Sequence, residues 1–253
     1  MNLSASPGTG YRLDIAAATV DAYRAVADNT RLAADLARLP FAVVLVAEIA
    51  AGVLGSGPFG WTLAGLAHVV GLVIGTVFVV RWHRFLLLGE RTASALFTPP
   101  WRVFFGATVR LALLLLAGWL VLLLVALLPP HGITAPLFLI GAIALVLAAV
   151  RVSLIFPAAA IDSPLSFRAA WDLLEGNYWR LFAAIILCTL PFSIGRSILA
   201  RIGGGAAFPI WLVFEAAGLV VAFAGVAVVT ALVSETYRRL TGPAPGGLAN
   251  AAA

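Results

Sequence analysis

The amino-acid sequence predicts an all-α integral membrane protein in which six transmembrane helices form three hairpins. Hydrophobic residues make up 62% of the chain and charged residues only 11%, whereas soluble domains average roughly 45–50% apolar and 25% charged residues. The mean hydropathy is +1.07. The apolar residues also fall into long blocks with few charges, and such blocks cannot form a surface that faces water.

Six segments are long and apolar enough to cross a bilayer as helices. A transmembrane helix needs about 20 mostly apolar residues, because hydrocarbon offers its backbone no hydrogen-bond partners. The chain is predicted to be one membrane domain, 1–253, with an N-terminal tail and amphipathic interfacial helix (1–35), a six-span bundle (36–240) and a flexible C-terminal tail (241–253). The predicted spans cover residues 36–54, 61–80, 104–128, 133–155, 181–199 and 208–233.

The arginines predict the orientation of these spans. All 16 basic residues are arginine, and the net charge is +5. Only Arg196 and Arg201 lie in connectors on one side, and positive residues are retained on the cytoplasmic side, so both termini are predicted to be cytoplasmic. Because the arginines are spread over short connectors, no nucleic-acid partner is predicted. The cytoplasmic set is Arg12, Arg24, Arg31, Arg38, Arg81, Arg84, Arg91, Arg102, Arg168, Arg180, Arg238 and Arg239.

A cytoplasmic interfacial helix is predicted to lead into each hairpin. In the N-terminal segment, aspartates recur every seven residues and arginines follow three of them at i+3, which places the charges in one stripe of a helix that lies on the membrane. The stripe consists of Asp14, Asp21, Asp28, Asp35, Arg24, Arg31 and Arg38.

Capping residues mark the other two lead-in segments. Thr98, followed by two prolines, is predicted to open a helix before the third span. Before the fifth span, Ser163 is the predicted N-cap, Gly176 the helix stop and Asn177 the cap of the next helix. Asn29 is predicted to lie near the equivalent place ahead of the first span.

Three charged residues fall well inside predicted spans. Glu48, Arg110 and Arg151 lie at a similar depth, about 13–16 Å from the cytoplasmic ends of their helices at 1.5 Å per residue. Unpaired charges are costly there, so we expect Glu48 to pair with Arg110, Arg151 or both, as a structural network or as a functional site. In the outer half, Glu215 has candidate partners only in the two arginines of the last outer loop.

A second candidate site is a group of basic and aromatic residues at the cytoplasmic membrane edge. Such residues serve either as topology anchors or as a binding site for a lipid headgroup or phosphate, which the guanidinium fork favours. The candidate headgroup or anchor residues are Arg81, Trp82, His83, Arg84, Trp179 and Arg180.

The sequence offers no catalytic, cofactor or metal site. Cys188 is the only cysteine, and His68, His83 and His131 stand far apart. These positions form neither a disulfide framework nor a metal-ligand spacing. No cofactor is therefore predicted.

Several stretches carry a family resemblance. They are RVSLIFP (151–157) with Asp162, Ser166 and Trp171, GNYWR (176–180), WHRF (82–85) with Gly89 and Glu90, and YRRL (237–240). The chain resembles a family of bacterial inner-membrane proteins, uncharacterised in function, related to the membrane domain of glycerophosphodiester phosphodiesterases. The resemblance implies a six-helix bundle in the bacterial inner (plasma) membrane. It does not imply phosphodiesterase activity, because the soluble, barrel-shaped catalytic domain has no counterpart here.

These observations together predict a non-enzymatic membrane protein. It would bind or organise lipids or another membrane protein, for example as an accessory subunit of an inner-membrane complex. The alternative is a small-solute transporter or channel that uses the cluster of Glu48, Arg110 and Arg151, with helix breaks at Pro157 and Pro191. The predicted partners are membrane lipids and, in the accessory version, a second membrane protein, and the oligomeric state is left open.

Overall fold

The computed structural model describes residues 12–53, 58–91, 96–127 and 134–242, and within these ranges it is helical without strands. The ends of both predicted tails, 1–11 and 243–253, lie outside the described residues. The helices are α1 (Ile15–Asp28), α2 (Thr30–Val53), α3 (Pro58–Leu88), α4 (Pro99–Ala126), α5 (Thr134–Val152), α6 (Ile155–Ala160), α7 (Phe167–Leu173), α8 (Tyr178–Gly203) and α9 (Phe208–Thr241).

Six of the described segments are long and apolar enough to cross a membrane, which confirms the predicted number of spans. Five spanning helices extend beyond the predicted limits, and three of them do so by six residues or more at one end. Helix α2 begins at Thr30 instead of 36, α3 continues past 80 to Leu88, and α9 continues past 233 to Thr241. Hydropathy locates the apolar middle of a helix, whereas these extensions are held by contacts with neighbouring helices.

Proline affects two spans differently. The fourth span is divided, because α5 ends at Val152 and α6 begins at Ile155 after a short turn. Pro157 lies in the first turn of α6, where its missing N–H is tolerated, so the predicted break near this residue is confirmed. The break predicted at Pro191 is wrong, since α8 runs through it from one end to the other.

The predicted caps have mixed outcomes. Thr98 is the N-cap of α4, with prolines in its first turn, as predicted. Ser163 is not a cap: α7 begins at Phe167, and Ser166 caps it by accepting a hydrogen bond from the N–H of Ala169 at 3.1 Å. Gly176, with φ +77°, ends the turn after α7, a conformation that glycine adopts without steric cost.

The predicted charge stripe does not belong to one helix. Asn29 ends α1 and Thr30 begins α2, so Asp35 lies on the first spanning helix. Of the expected i+3 pairs, the pair of Asp35 and Arg38 is present, with Arg38 Nη2 2.8 Å from Asp35 Oδ1. Asp21 instead pairs with Arg239 of α9, also at 2.8 Å. The stripe is therefore divided between local and long-range contacts.

Contacts between helices build the bundle around α9. Helix α9 packs against α8, α3, α2 and α1, while α2 packs against α3, and α4 packs against α5 and α6. The largest cluster of buried side chains lies where α8, α9, α6 and α1 meet, and includes Leu154, Leu174, Leu181 and Leu232, each 0% exposed. Helix α1 is part of this core, since Ala18 and Ala22 are buried.

Candidate functional site

The predicted intramembrane cluster is not assembled. Within the described residues, no ion pair joins Glu48 to Arg110 or Arg151. The helices explain this correction, because α2 packs mainly on α3 and α9, whereas α4 packs on α3, α5 and α6, and α5 on α4, α7 and α8. Glu48 is half-buried and Arg110 is exposed. Equal depth along separate helices therefore did not make these residues neighbours.

Arg151 finds aromatic partners instead of a carboxylate. Its guanidinium carbon lies 4.2 Å from the ring centroid of Trp171 and 5.0 Å from that of Tyr178. The Nε also donates to the backbone oxygen of Trp171 at 3.4 Å. Cation–π contacts of this kind stabilise a partly desolvated arginine. Arg151 thus fixes α7 and the start of α8 against α5.

The expected partner of Glu215, an arginine of the last outer loop, is confirmed. Arg196 and Glu215 form an ion pair, with Nη2 3.4 Å from Oε1. The pair joins α8 to α9, which are antiparallel neighbours along much of their length. One carboxylate and one guanidinium thereby compensate each other's charge inside the apolar zone.

The structure divides the basic and aromatic group at the end of α3. Trp82 is 0% exposed and donates from Nε1 to the backbone oxygen of Ala227 at 3.0 Å, and His83 is 2% exposed. Both rings are enclosed by protein, so neither is exposed to a lipid headgroup as the prediction of a headgroup or anchor site would require. The physical reason is that α3 continues to Leu88 and packs this stretch against α9.

His83 makes a buried hydrogen bond with Ser234, and the geometry of this bond indicates a structural role. The Nδ1 of His83 and the Oγ of Ser234 are 2.7 Å apart. The serine hydroxyl donates its proton to the backbone oxygen of Thr230 at 2.8 Å. With the serine proton placed on this contact, Nδ1 is the donor in the histidine–serine contact, and a histidine that donates to the hydroxyl does not activate it as a nucleophile.

Arg84 is held by a clamp of acceptors. Its Nε and Nη2 bind both carboxylate oxygens of Glu90, at 2.7 and 2.6 Å. Its Nη1 donates to Asp162 Oδ2 and to the backbone oxygen of Ala160, each at 2.9 Å. Asp162 has a φ of +59°, an uncommon conformation for a residue other than glycine. The clamp connects the end of α3 to the turn that follows α6.

A cavity of about 380 Å³ opens beside this clamp, and we call it the basic cavity. Its lining combines apolar side chains of α2, α3 and the start of α4 with charged groups. The lining contains three arginines and two carboxylates, so its formal charge is 3 − 2 = +1. Its charged residues are Arg81, Arg84, Arg91, Glu90 and Asp162, and its apolar residues include Leu36, Val77, Val80 and Pro100.

The first turn of α4 borders the same cavity. Thr98, Pro99 and Pro100 line it together with Trp101, whose Nε1 is bound to Thr76 Oγ1 at 2.9 Å. The positive end of the α4 dipole therefore lies beside the arginines and adds to their positive potential, although Pro99 and Pro100 have no N–H to donate to an anion. The sequence pointed to Arg81 and Arg84 but missed Arg91, Thr98 and Asp162 as members of one site. Thr98 was predicted only as a helix start, and Asp162 stands beside Ser163, which was predicted as an N-cap.

Trp179 and Arg180 lie elsewhere. Arg180 donates from Nη1 to the backbone oxygen of Leu13 at 3.1 Å, which holds the N-terminal segment beside α8. Trp179 is 52% exposed, as an anchor at an interface would be. The six candidate residues are therefore split among the basic cavity, the core and the start of α8.

Comparison of the chain with known protein families, with curated proteins and with solved structures finds no match in any of the three.

Proposed function

We propose that this protein is a non-enzymatic, multi-pass membrane protein that binds the phosphate of an anionic lipid headgroup in the basic cavity. The proposal rests on one observation, the amphiphilic lining of that cavity. A lipid headgroup region presents a phosphate next to hydrocarbon, and the basic cavity presents arginines together with apolar side chains. A volume of about 380 Å³ lies in the range of small-molecule sites.

The arginines have distinct roles in this proposal. Arg81 is half-buried in the last turns of α3 and Arg91 is exposed just beyond them, and both line the basic cavity. Arg84 is fixed by its acceptors and keeps the two carboxylates close to itself. Guanidinium groups suit phosphate through paired N–H donors.

The proposed orientation places the basic cavity on the cytoplasmic side. The arginine distribution, twelve against two in the connectors, supports that orientation through the positive-inside rule. The contacts of α2 with α3, α4 with α5 and α8 with α9 support three hairpins. Helices α1 and α7 are the proposed interfacial helices that lead into the first and third hairpins. Ahead of the second hairpin, the described residues 89–91 and 96–98 contain no helix.

The alternatives have less support. Transport through Glu48, Arg110 and Arg151 would need these residues in one site, and they lie on separate interfaces. An accessory role in an inner-membrane complex is compatible with a lipid site and stays a prediction, as does the relation to phosphodiesterase membrane domains. The non-enzymatic assignment is supported by the donor role of the one buried histidine–serine pair described above.

A titration tests the proposal. Purified protein in neutral detergent would be titrated with short-chain phosphatidylglycerol, the matching phosphatidylcholine and inorganic phosphate. We expect a clear preference for phosphatidylglycerol. The double variant Arg81→Gln, Arg91→Gln should lose roughly 25-fold in affinity, at about 1 kcal/mol for each arginine.

The matched control is Arg102→Gln, which removes an exposed arginine of α4 that does not line the basic cavity. This variant should bind as the parent does. Phosphate binding as tight as that of the lipid would assign the site to a free anion. Equal affinity of the parent for both lipids would contradict the proposal.

A further inference from the structure

A second cavity lies between α2 and α9, and its lining shares no residue with that of the basic cavity. Its volume is about 310 Å³. We call it the apolar cleft. It exists because both facing helices carry alanine where larger side chains would close the gap. The alanines that border it are Ala33, Ala34 and Ala37 of α2 and Ala224 and Ala227 of α9.

Aromatic rings form the inner end of the apolar cleft. Phe223 of α9 makes edge-to-face contacts with Phe41 and Phe78, with ring centroids 5.9 and 5.6 Å apart. These rings fix the floor, because each packs against another and none can turn freely into the space. The apolar cleft is therefore a formed indentation between two spanning helices, in contrast to the open outer surface of α4.

The polar residues of the apolar cleft are confined to its lining from α2. They are Thr30 and Arg38. Arg38 is directed back along the helix, since its Nη2 lies 2.8 Å from Asp35, three residues nearer the start of α2. The guanidinium therefore lies toward the end of the apolar cleft marked by Thr30, where the spanning helix leaves the membrane. This arrangement fits a ligand with a polar head and an apolar tail.

The small volume of the apolar cleft favours a hydrocarbon chain over a protein helix as the occupant. From Thr30 to Phe41 the lining of α2 spans about 16 Å at 1.5 Å per residue. A helix about 10 Å wide would occupy on the order of 1,000 Å³ over that length, which is more than the apolar cleft contains. A single extended hydrocarbon chain matches both the length and the narrow section.

We propose that the apolar cleft binds one acyl chain of a phospholipid, whose phosphate lies beside Arg38. The ion pair of Arg38 with Asp35 does not oppose this, because its side chains are 79% and 55% exposed and exposed pairs contribute little. A lipid phosphate would meet Arg38 while its chain extends past the alanines toward Phe223. The site is separate from the basic cavity, so each can fail without the other.

Photolabelling tests this site in proteoliposomes. The probes are phosphatidylglycerol and phosphatidylcholine with a diazirine midway along one acyl chain, and labelled peptides would be mapped by mass spectrometry. We expect label at Phe41 and Phe223 to exceed label on the exposed face of α4. Equal density at both places would mean annular lipid only and would overturn the proposal.

Variants that fill the apolar cleft sharpen the test. Ala34→Leu and Ala224→Leu should each lower labelling of the cleft peptides about tenfold, the effect of displacing about two buried methylenes. Ala112→Leu, on the exposed surface of α4, is the matched control and should leave labelling unchanged. Ala34 is itself exposed, so its variant keeps the test valid if the Ala224 variant fails to fold.

The polar end has its own variant. Arg38→Gln should reduce the preference for the phosphatidylglycerol probe over the phosphatidylcholine probe by about fivefold while cleft labelling persists. An unchanged preference would overturn the placement of the phosphate. Labelling that resists Ala34→Leu would overturn the placement of the acyl chain.

Discussion

The side-chain oxygen of Asn177 accepts a 2.8 Å hydrogen bond from the backbone N–H of Leu13, a residue 164 positions earlier in the chain. Asn177 was predicted to cap α8, and it does stand at the N-cap position, but its side chain makes no capping bond. It instead satisfies a buried donor, since Leu13 is 0% exposed. This bond and that from Arg180 to Leu13 fasten the N-terminal segment to the bundle.

The first prediction follows from this bond. Asn177→Ala leaves the N–H of Leu13 buried without its acceptor, which should cost about 1–3 kcal/mol of unfolding free energy. The measurement is the unfolding midpoint in a denaturing detergent. Asn29→Ala is the control, because the Asn29 side chain bonds only one helical turn away, to Ala25, and should shift the midpoint less. Equal shifts would contradict the anchoring role.

The second prediction concerns Glu90, which occupies the paired Nε and Nη2 donors of Arg84 that a phosphate would use. Glu90→Gln should raise affinity for short-chain phosphatidylglycerol by more than about fivefold, because the basic cavity gains one unit of positive charge and Arg84 loses the carboxylate bound to its paired donors. Asp162→Asn makes the same change in charge but leaves Glu90 in place, so it should raise affinity less. Equal increases would show that only overall charge matters.

The third prediction addresses the separated intramembrane charges. Because Glu48 forms no ion pair with Arg110 or Arg151, Glu48→Gln should change stability by the same amount in the parent and in the Arg110→Leu and Arg151→Leu backgrounds. Coupling between sites without contact is usually below about 0.5 kcal/mol. A double-mutant cycle on unfolding midpoints measures it. Coupling above about 1 kcal/mol would restore the predicted network.

The fourth prediction compares two glycines in spanning helices. A Cβ at Gly203 would lie 2.7 Å from the Cβ of Phe214, at the base of a side chain that cannot swing away. Gly203→Ala should therefore lower the unfolding midpoint through overpacking. A Cβ at Gly65 meets no atom within 4 Å, so Gly65→Ala should be neutral or stabilising by up to about 1 kcal/mol. Similar effects of both would contradict the close approach of α8 and α9.

The sequence allowed the spanning helices and several of their ends to be predicted, because hydropathy and capping are local. Thr98 is an example, since it stands at the N-cap and the two prolines that follow favour the start of α4 without any distant contact. The rotation of each helix about its axis and the choice of its neighbouring helices depend on distant contacts. Trp82 and His83 face α9 and not lipid. Both environments are apolar, so the sequence pattern is the same whether a residue faces lipid or another helix.

The basic cavity was predicted only in part for the same reason. Arg81 and Arg84 share one helix end, and their spacing marked them as a group. Asp162 reaches Arg84 only because α6 breaks away from α5 and returns to the end of α3. Depth along a helix, which suggested the cluster around Glu48, contains no information about which helices adjoin.

Native mass spectrometry of the protein purified from its own membrane in mild detergent tests the central claim most directly. The account predicts retained anionic phospholipid in excess of its share of the membrane, lost in the double variant Arg81→Gln, Arg91→Gln and kept in Arg102→Gln. A stoichiometric protein in the same spectra would support the accessory-subunit role. Lipids retained in membrane proportions, or an unaltered lipid profile in the double variant, would contradict the basic cavity as a headgroup site.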